Sequence, residues 1–538
     1  MVPLFGRWSS GNLRVSKLYA LQNEHRMLFP KGAELLLGTI TNYDNLAEMY
    51  LVWVCFLVTL AVLLLAFRYP ARRSWLLLFV PVSLLVFGLR QYENLLFGFQ
   101  INFAFTQTFG VLALFLLHVL VRGGRPERLA FAAALCSATV ASFSTAQGLF
   151  VWPAGLVGLL LGLAQGAAKR AFVVVWGLAG LMEWTAYFAG YVAPEERPSM
   201  LYALDHPVTG ARYFLTLLGG SLFWRQTFAS LTGLLITCLV LAALLLIYKS
   251  GKVHEYSFWA SLLLYSFLML AAITLGRAGL FDAEQALSSR YAAFSVLTVV
   301  GVYAILVKII LEGKSVVATA MLAALSGVVL LSAAVSYPEG VEEGAEQKVF
   351  REEAAFVLAT YETQPDWALE ARLVHPSAAF VKKRAPVLQR LDYNVFSQPR
   401  AGGLLPPPLS SLSPLRSSTP TAAAVNGVEI GRQNRTVLVP RGATSVAVVG
   451  WAVDSRNASP AGGVYIDIDG KLFPAFYGTD REGASGSSGP APYRYSGFER
   501  AVPVSEIGAG THELSVVVLT NDRESYYRRD HKAILKVG

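Results

Sequence analysis

Ten stretches of about 20 mostly apolar residues fill most of the first 335 positions, and that length is what a helix needs to cross a bilayer. They lie roughly over 47–67, 74–90, 101–121, 128–144, 148–166, 171–191, 229–248, 257–276, 292–311 and 315–335. A backbone in hydrocarbon must satisfy its own hydrogen bonds, so each stretch reads as an α-helix. The expected fold class is an α-helical polytopic membrane domain of about ten spans. Only 15% of the 538 residues are charged, against about 25% in soluble chains. That deficit excludes an ordinary soluble enzyme, a disordered chain and a nucleic-acid binder. Cys55, Cys136 and Cys238 sit inside apolar runs without C-x-x-C spacing, so neither a disulfide framework nor a zinc site is indicated.

The net charge of +9 acts as a topology signal. Alternate loops carry Arg68/Arg72/Arg73, Arg122/Arg125/Arg128, Lys169/Arg170, Lys249/Lys252 and Lys314. Short basic loops stay in the cytoplasm, so the intervening loops and both chain ends are expected outside it, the protein being a multi-pass component of the inner or plasma membrane. Residues 1–46 then form a first extracytoplasmic loop with an amphipathic helix. They hold no signal peptide, and Arg7, Arg14, Lys17, Arg26 and Lys31 resist translocation, so a further span is expected upstream.

Residues 47–336 make the transmembrane domain and 337–400 an extracytoplasmic helical segment, with a helix expected over Glu342–Tyr361. Residues 401–423, with Pro406-Pro407-Pro408 and several serines, read as a linker. Residues 424–538 alternate apolar and polar positions, as in Thr436–Val439, Ser445–Val453, Val464–Ile468 and His512–Leu519. With turn signals at Asp469-Gly470, they predict an all-β extracytoplasmic sandwich.

Polar clusters then mark a site. Asn23-Glu24-His25-Arg26 precedes the first span, and Tyr92-Glu93-Asn94 through Gln100 opens the third. Ser142 to Gly148, with Gln147, joins the fourth to the fifth. Arg277 ends the eighth, and Ser289-Arg290-Tyr291 opens the ninth. On this topology all five lie on the outer face. Ionisable groups at membrane depth are costly and tend to line a cavity or pair with one another. Each also has a bland reading: Asn23–Arg26 as a solvated helix face, Glu93 snorkelling with Arg90, the arginines holding headgroups or pairing with Asp282 and Glu284, and Ser144–Gln147 as a tight turn. Glu183 either joins the site or snorkels, and His118 reads as a satisfied interfacial residue. Asp467-Ile468-Asp469-Gly470 reads as strand and turn, not a calcium loop. Asn434 and Asn457 begin acceptor sequons.

These features resemble the GT-C class of integral-membrane glycosyltransferases, over about residues 20–400. They are also similar to a bacterial group of uncharacterised multi-pass proteins, through Asn23-Glu24-His25-Arg26, Glu93-Asn94, Gly98-Phe99-Gln100, Gly276-Arg277 and Ser289-Arg290-Tyr291. Gly450-Trp451-Ala452-Val453-Asp454, Tyr477-Gly478 and Ser496-Gly497-Phe498 resemble a β-sandwich module attached to bacterial cell-surface glycan proteins. GT-C enzymes carry an Asp or Glu soon after their first span, a span that on this topology would precede Met1.

The resemblance implies transfer of a sugar from a polyprenyl-phosphate donor to a cell-surface glycan or lipid acceptor. Glu24 or Glu93 is then the catalytic base. His25, Arg26, Asn94, Gln100, Gln147, Arg277, Arg290 and Tyr291 bind phosphate or substrate. A divalent cation is left open, since the chain shows no metal motif. Two rival classes remain: a transporter or flippase of lipid-linked saccharides, and a non-catalytic anchor presenting a glycan-binding β-domain. A flippase needs polar groups through the bilayer depth, whereas the middles of these segments are largely apolar.

Overall fold

A computed structural model describes residues 1–68, 75–123, 126–164, 169–192, 202–313, 315–373, 377–397, 403–416, 419, 421–430, 435–480, 493–528 and 532–538. Arg72, Arg73, Arg125, Lys314 and Asn434 lie outside the described residues. The chain divides into two compact units, Pro3–Ala345 and Glu346–Gly538.

The first unit is helical. Among the described residues nine helical segments are long and apolar enough to cross a membrane: Asn45–Phe67, Trp75–Leu96, Gly98–Val121, Ala146–Leu163, Arg170–Phe188, Gln226–Ser250, Val253–Arg277, Ser289–Glu312 and Val316–Ala359. The remaining expected segment, 128–144, forms the shorter helix Glu127–Ser142, which stops where Ser144 and Thr145 break the apolar run. Large apolar side chains on these helices point outward. Leu57, Leu77, Leu181, Leu231 and Leu241 are each more than half exposed. A belt of this kind suits lipid tails and would be an aggregation surface in water.

Polar contacts gather at the helix ends. At the end bearing the basic loops, Lys308 Nζ donates to the Glu255 carbonyl (2.7 Å), Tyr256 Oη donates to Glu312 Oε2 (3.1 Å), and His118 Nδ1 meets Ser257 Oγ (3.2 Å). His118 is thereby satisfied, as expected. The helix Ala292–Glu312 runs through the middle, with every residue from Ala292 to Val307 buried. Some of the polar groups inside are paired: Ser266 Oγ meets Thr298 Oγ1 at 2.6 Å, and Thr59 Oγ1 meets Thr108 Oγ1 at 2.9 Å, whereas the buried Gln107 amide has no partner.

The last long helix does not stop at residue 336. It runs from Val316 to Ala359 through Pro338. The apolar pattern ends at Tyr337, but residues 342–354 are mostly Glu, Ala, Gln, Lys and Arg, which favour helix regardless of burial.

In the second unit, Phe356, Val357 and Tyr361 share a small core with Leu369 of the helix Asp366–Arg372 and Val381 and Ala385 of the helix Ala378–Arg390. The β-domain follows. Its expected strands are Arg435–Val439, Ser445–Asp454, Gly463–Ile468 and Gly510–Leu519. Lys471–Thr479 pairs with Gly463–Ile468 on one side and Gly497–Pro503 on the other, so the strands form one continuous hydrogen-bonded network. One cluster including Val446, Val464, Phe473, Phe498, Val516 and Leu535 draws on strands from across that network, so the sheet curls over a single core.

Asp469-Gly470 makes the hairpin turn, with φ 50° and 85°, and Asp467 Oδ1 accepts from the Gly470 N–H (2.8 Å). The Asp-x-Asp-Gly run is thus strand and turn. The expected linker is partly absorbed. Ser413–Leu415 pairs in parallel with Ser525–Tyr527, and Thr421–Val425 pairs with Val448–Ala452, burying Ala423 and Val425.

Candidate functional site

The first cluster is built on a two-residue turn. Gln22 and His25 exchange backbone hydrogen bonds of 2.9 and 3.0 Å, with Asn23 and Glu24 between them. Asn23 takes φ 53°, a conformation asparagine tolerates better than most residues. Arg26 anchors the turn from behind. Its Nε donates to the Tyr187 carbonyl (2.6 Å), Nη1 to the Tyr19 carbonyl (3.2 Å) and Nη2 to the Ala189 carbonyl, while the guanidinium lies 4.3 Å from the Tyr19 ring centre. Lys31 Nζ adds a bond to the Ala20 carbonyl (2.7 Å).

The turn thereby presents Glu24 to Arg277 at the end of the helix Ser257–Arg277, where Arg277 Nη2 donates to Glu24 Oε1. His25 lies beside the pair, its Nε2 3.6 Å from Glu24 Oε1. Its Nδ1 accepts the Ala146 N–H (3.3 Å), so the ring proton sits on Nε2 and faces the carboxylate. Burial, and then the charge of Arg277, hold the His25 pKa down at about 4. Ala146 reaches this point because residue 148 is glycine: a Cβ there would stand 1.8 Å from the Ala141 carbonyl oxygen.

A pH prediction follows from His25. An unfolded histidine takes a proton near pH 6.5 and the folded one only near 4, so stability is full above 6.5 and falls as pH drops towards 4. The loss is on the order of 3 kcal/mol. Thermal unfolding of the detergent-solubilised protein across that window checks it. The slope should shrink in His25→Gln, and an unchanged slope would refute the assignment.

The second cluster joins the end of the segment Trp75–Leu96 to the start of the segment Ser289–Glu312. Glu93 Oε2 accepts the Arg290 N–H (3.0 Å), Ser289 Oγ accepts the Glu93 N–H (3.0 Å), and Asn94 Nδ2 donates to the Arg290 carbonyl (3.1 Å). The Arg290 guanidinium stands 3.9 Å from Glu93 Oε1 and is about a third exposed. Tyr291 Oη accepts from Gln285 Nε2 (3.4 Å), and Gln285 Oε1 in turn accepts from Tyr213 Oη. The buried Tyr213 is thereby tied to the loop between Arg277 and Arg290, which joins the two clusters along the chain.

Of the ionisable residues expected at the site, Glu24, His25 and Arg277 form one ionic cluster and Glu93 and Arg290 another. Arg26, expected at phosphate, spends its guanidinium on backbone carbonyls. Gln100 is buried in the turn opening the third span, with Oε1 unpartnered; Gln147 Oε1 is likewise buried without a partner. Glu183 is buried and accepts from Thr139 Oγ1 (2.8 Å). Among the described residues no group of three or more His, Cys, Asp or Glu is placed to hold a metal ion.

Sequence reasoning passed over Glu34 and Glu48, which are 1% and 3% exposed. Asn45 Nδ2 donates to Glu48 Oε2 (3.1 Å), and Gly98 packs directly against the Glu48 side chain. Burial, and then Glu48, push the Glu34 pKa up to about 8, so Glu34 is neutral at pH 7. The helix Leu28–Ile40 buries Lys31, Glu34 and Gly38 on one stripe while Leu36 and Ile40 stand well exposed. It is amphipathic with its polar stripe turned inward, a pattern readable from the i, i+3, i+7 spacing of those three residues.

No family model and no solved structure matches the chain. It is similar to an uncharacterized protein of Archaeoglobus fulgidus, 25% identical over 211 residues, or 36% of this chain and 53% of that protein. The chain thus spans about half the length of the curated relative it matches, and the likeness carries no activity with it.

Proposed function

We propose that the protein is a GT-C-like membrane glycosyltransferase. It moves a sugar from a polyprenyl-phosphate donor to a glycan or lipid acceptor on the outer side of the membrane. The observation that carries this reading is the Glu24–Arg277 pair, a carboxylate and a guanidinium held together on a clamped turn beside a neutral histidine.

Inverting transfer needs both groups. Glu24 takes the acceptor hydroxyl proton as that oxygen attacks the anomeric carbon. The bond to the lipid phosphate breaks, and Arg277 and Arg290 receive the charge that develops on the leaving oxygens. When Arg277 turns to phosphate, it releases the Glu24 oxygen it holds in the free protein. His25, neutral and with Nε2 3.6 Å from the carboxylate, lies beside Glu24 meanwhile. Glu93 locks the Arg290 backbone and serves as a positioning residue. Tyr291 and Tyr213 close that side.

The test is transfer of radiolabelled sugar from polyprenyl-phosphate-linked donors by the full chain in liposomes, where activity above protein-free vesicles is expected. The proposed orientation puts the polar end and the β-domain outside the cytoplasm. A membrane-impermeant thiol reagent applied to intact cells should label Gly470→Cys and spare Gly123→Cys. Labelling of Gly123→Cys alone would reverse the orientation.

A further inference from the structure

An open cleft of about 520 Å³ is lined by Trp224, Arg225, Gln226, Thr227, Glu284 and Leu287. The loop between Arg277 and Arg290 supplies Glu284 and Leu287. The segment carrying Glu93 supplies the support. Arg90 donates to the carbonyls of Phe223 (3.4 Å) and Leu287, and its guanidinium lies 4.2 Å from the Trp224 ring centre. Tyr92 stacks on Trp224 with centroids 5.7 Å apart and planes 17° from parallel. Trp224 is therefore fixed by two neighbours, yet its indole Nε1 is buried without a hydrogen-bond partner. The Gln226 side-chain oxygen accepts from Arg212 Nε (3.0 Å) and Nη2 (3.2 Å), which turns the amide nitrogen to the other side.

The lining offers an indole ring, an amide, a hydroxyl, a guanidinium and a carboxylate around one apolar leucine. A hydrophobic ligand would leave these groups desolvated and unmatched. A free anion would meet Glu284. A saccharide satisfies them all, because its ring hydroxyls donate to Glu284 and accept from Arg225, Gln226 and Thr227, while its apolar C–H groups pack against Trp224 and Leu287. We infer that this cleft is the acceptor subsite and binds a glycan. The inference rests on the glycosyltransfer reading, since it is the shared loop 278–290 that brings an acceptor held here beside Arg277 and Arg290.

The experiment probes a printed array of hexose and uronate oligosaccharides with the full chain in nanodiscs, and measures polyprenyl monophosphate binding on the same preparations. Binding to a subset of glycans is expected, with affinity lowered at least tenfold in Glu284→Gln and in the Gln226→Ala/Thr227→Ala double variant. These side chains lie at or near the surface, so the variants should fold, and retained polyprenyl monophosphate binding shows that they do. No glycan binding, or binding that the substitutions leave unchanged, overturns the inference. Glycan binding that depends on the cleft, in a chain that binds no polyprenyl monophosphate, would instead sink the glycosyltransfer reading and leave the saccharide site standing.

Discussion

Glu24→Gln should lower sugar transfer by at least about 100-fold, the contribution expected of a positioned general base. Glutamine keeps the side chain's size and its hydrogen bond from Arg277, but cannot accept the acceptor's proton. Donor binding should therefore survive, and the loss should appear in kcat and not in the donor KM. Glu93→Gln is expected to do less. Glu93 holds the Arg290 backbone N–H, a bond an amide oxygen also accepts. Steady-state kinetics on the two variants separate the roles. Equal losses would mean that Glu24 is not the base, and full activity in the Glu24→Gln/Glu93→Gln double variant would end the account.

Arg26→Ala should be the most damaging change to the fold around the site. It removes the guanidinium that serves the carbonyls of Tyr19, Tyr187 and Ala189, and leaves those oxygens without that donor. Stranding buried partners of a charged donor costs on the order of 3–5 kcal/mol here. Activity should vanish with it, because the Gln22–His25 turn loses its anchor. Lysine should rescue little, since one ammonium cannot reproduce the fork that reaches three carbonyls. Thermal unfolding in detergent measures this. A midpoint within about 2 °C of the parent would show that the clamp contributes little.

Much of the helical unit could be read directly because length and hydropathy decide it: nine of the ten expected stretches become long apolar helices. The exception, Glu127–Ser142, is cut short by polar residues whose effect on a helix end depends on packing with the loop after it. The helix runs past the expected membrane boundary at residue 336 for a physical reason. Hydropathy reports where lipid contact ends, and helix propensity carries the backbone on to Ala359. The linker was misjudged in a similar way, since Thr421–Val425 is short and alanine-rich and becomes a strand only because Ser445–Asp454 offers an edge.

The site residues stood out because charge beside long apolar runs is costly. Their pairing could not be foreseen: Glu24 finds Arg277 across 253 positions and Glu93 finds Arg290 across 197, separations that only the fold closes. Arg26 shows the limit of residue type, since the same guanidinium suits a phosphate or a set of carbonyls. Glu34 and Glu48 were missed because a lone glutamate on a short helix beside an apolar stretch, or in the first turn of one, reads as solvated.

The central claim is that Arg277 receives a lipid phosphate at a site where Glu24 supplies the base. Polyprenyl monophosphate is the product common to every sugar donor of this class, so its binding to the full chain in nanodiscs tests the claim without knowledge of the sugar. Saturable binding is predicted, weakened at least about tenfold by Arg277→Ala, which removes a charge-assisted bidentate contact, and retained in Glu24→Gln. No saturable binding, or binding indifferent to Arg277, would contradict it.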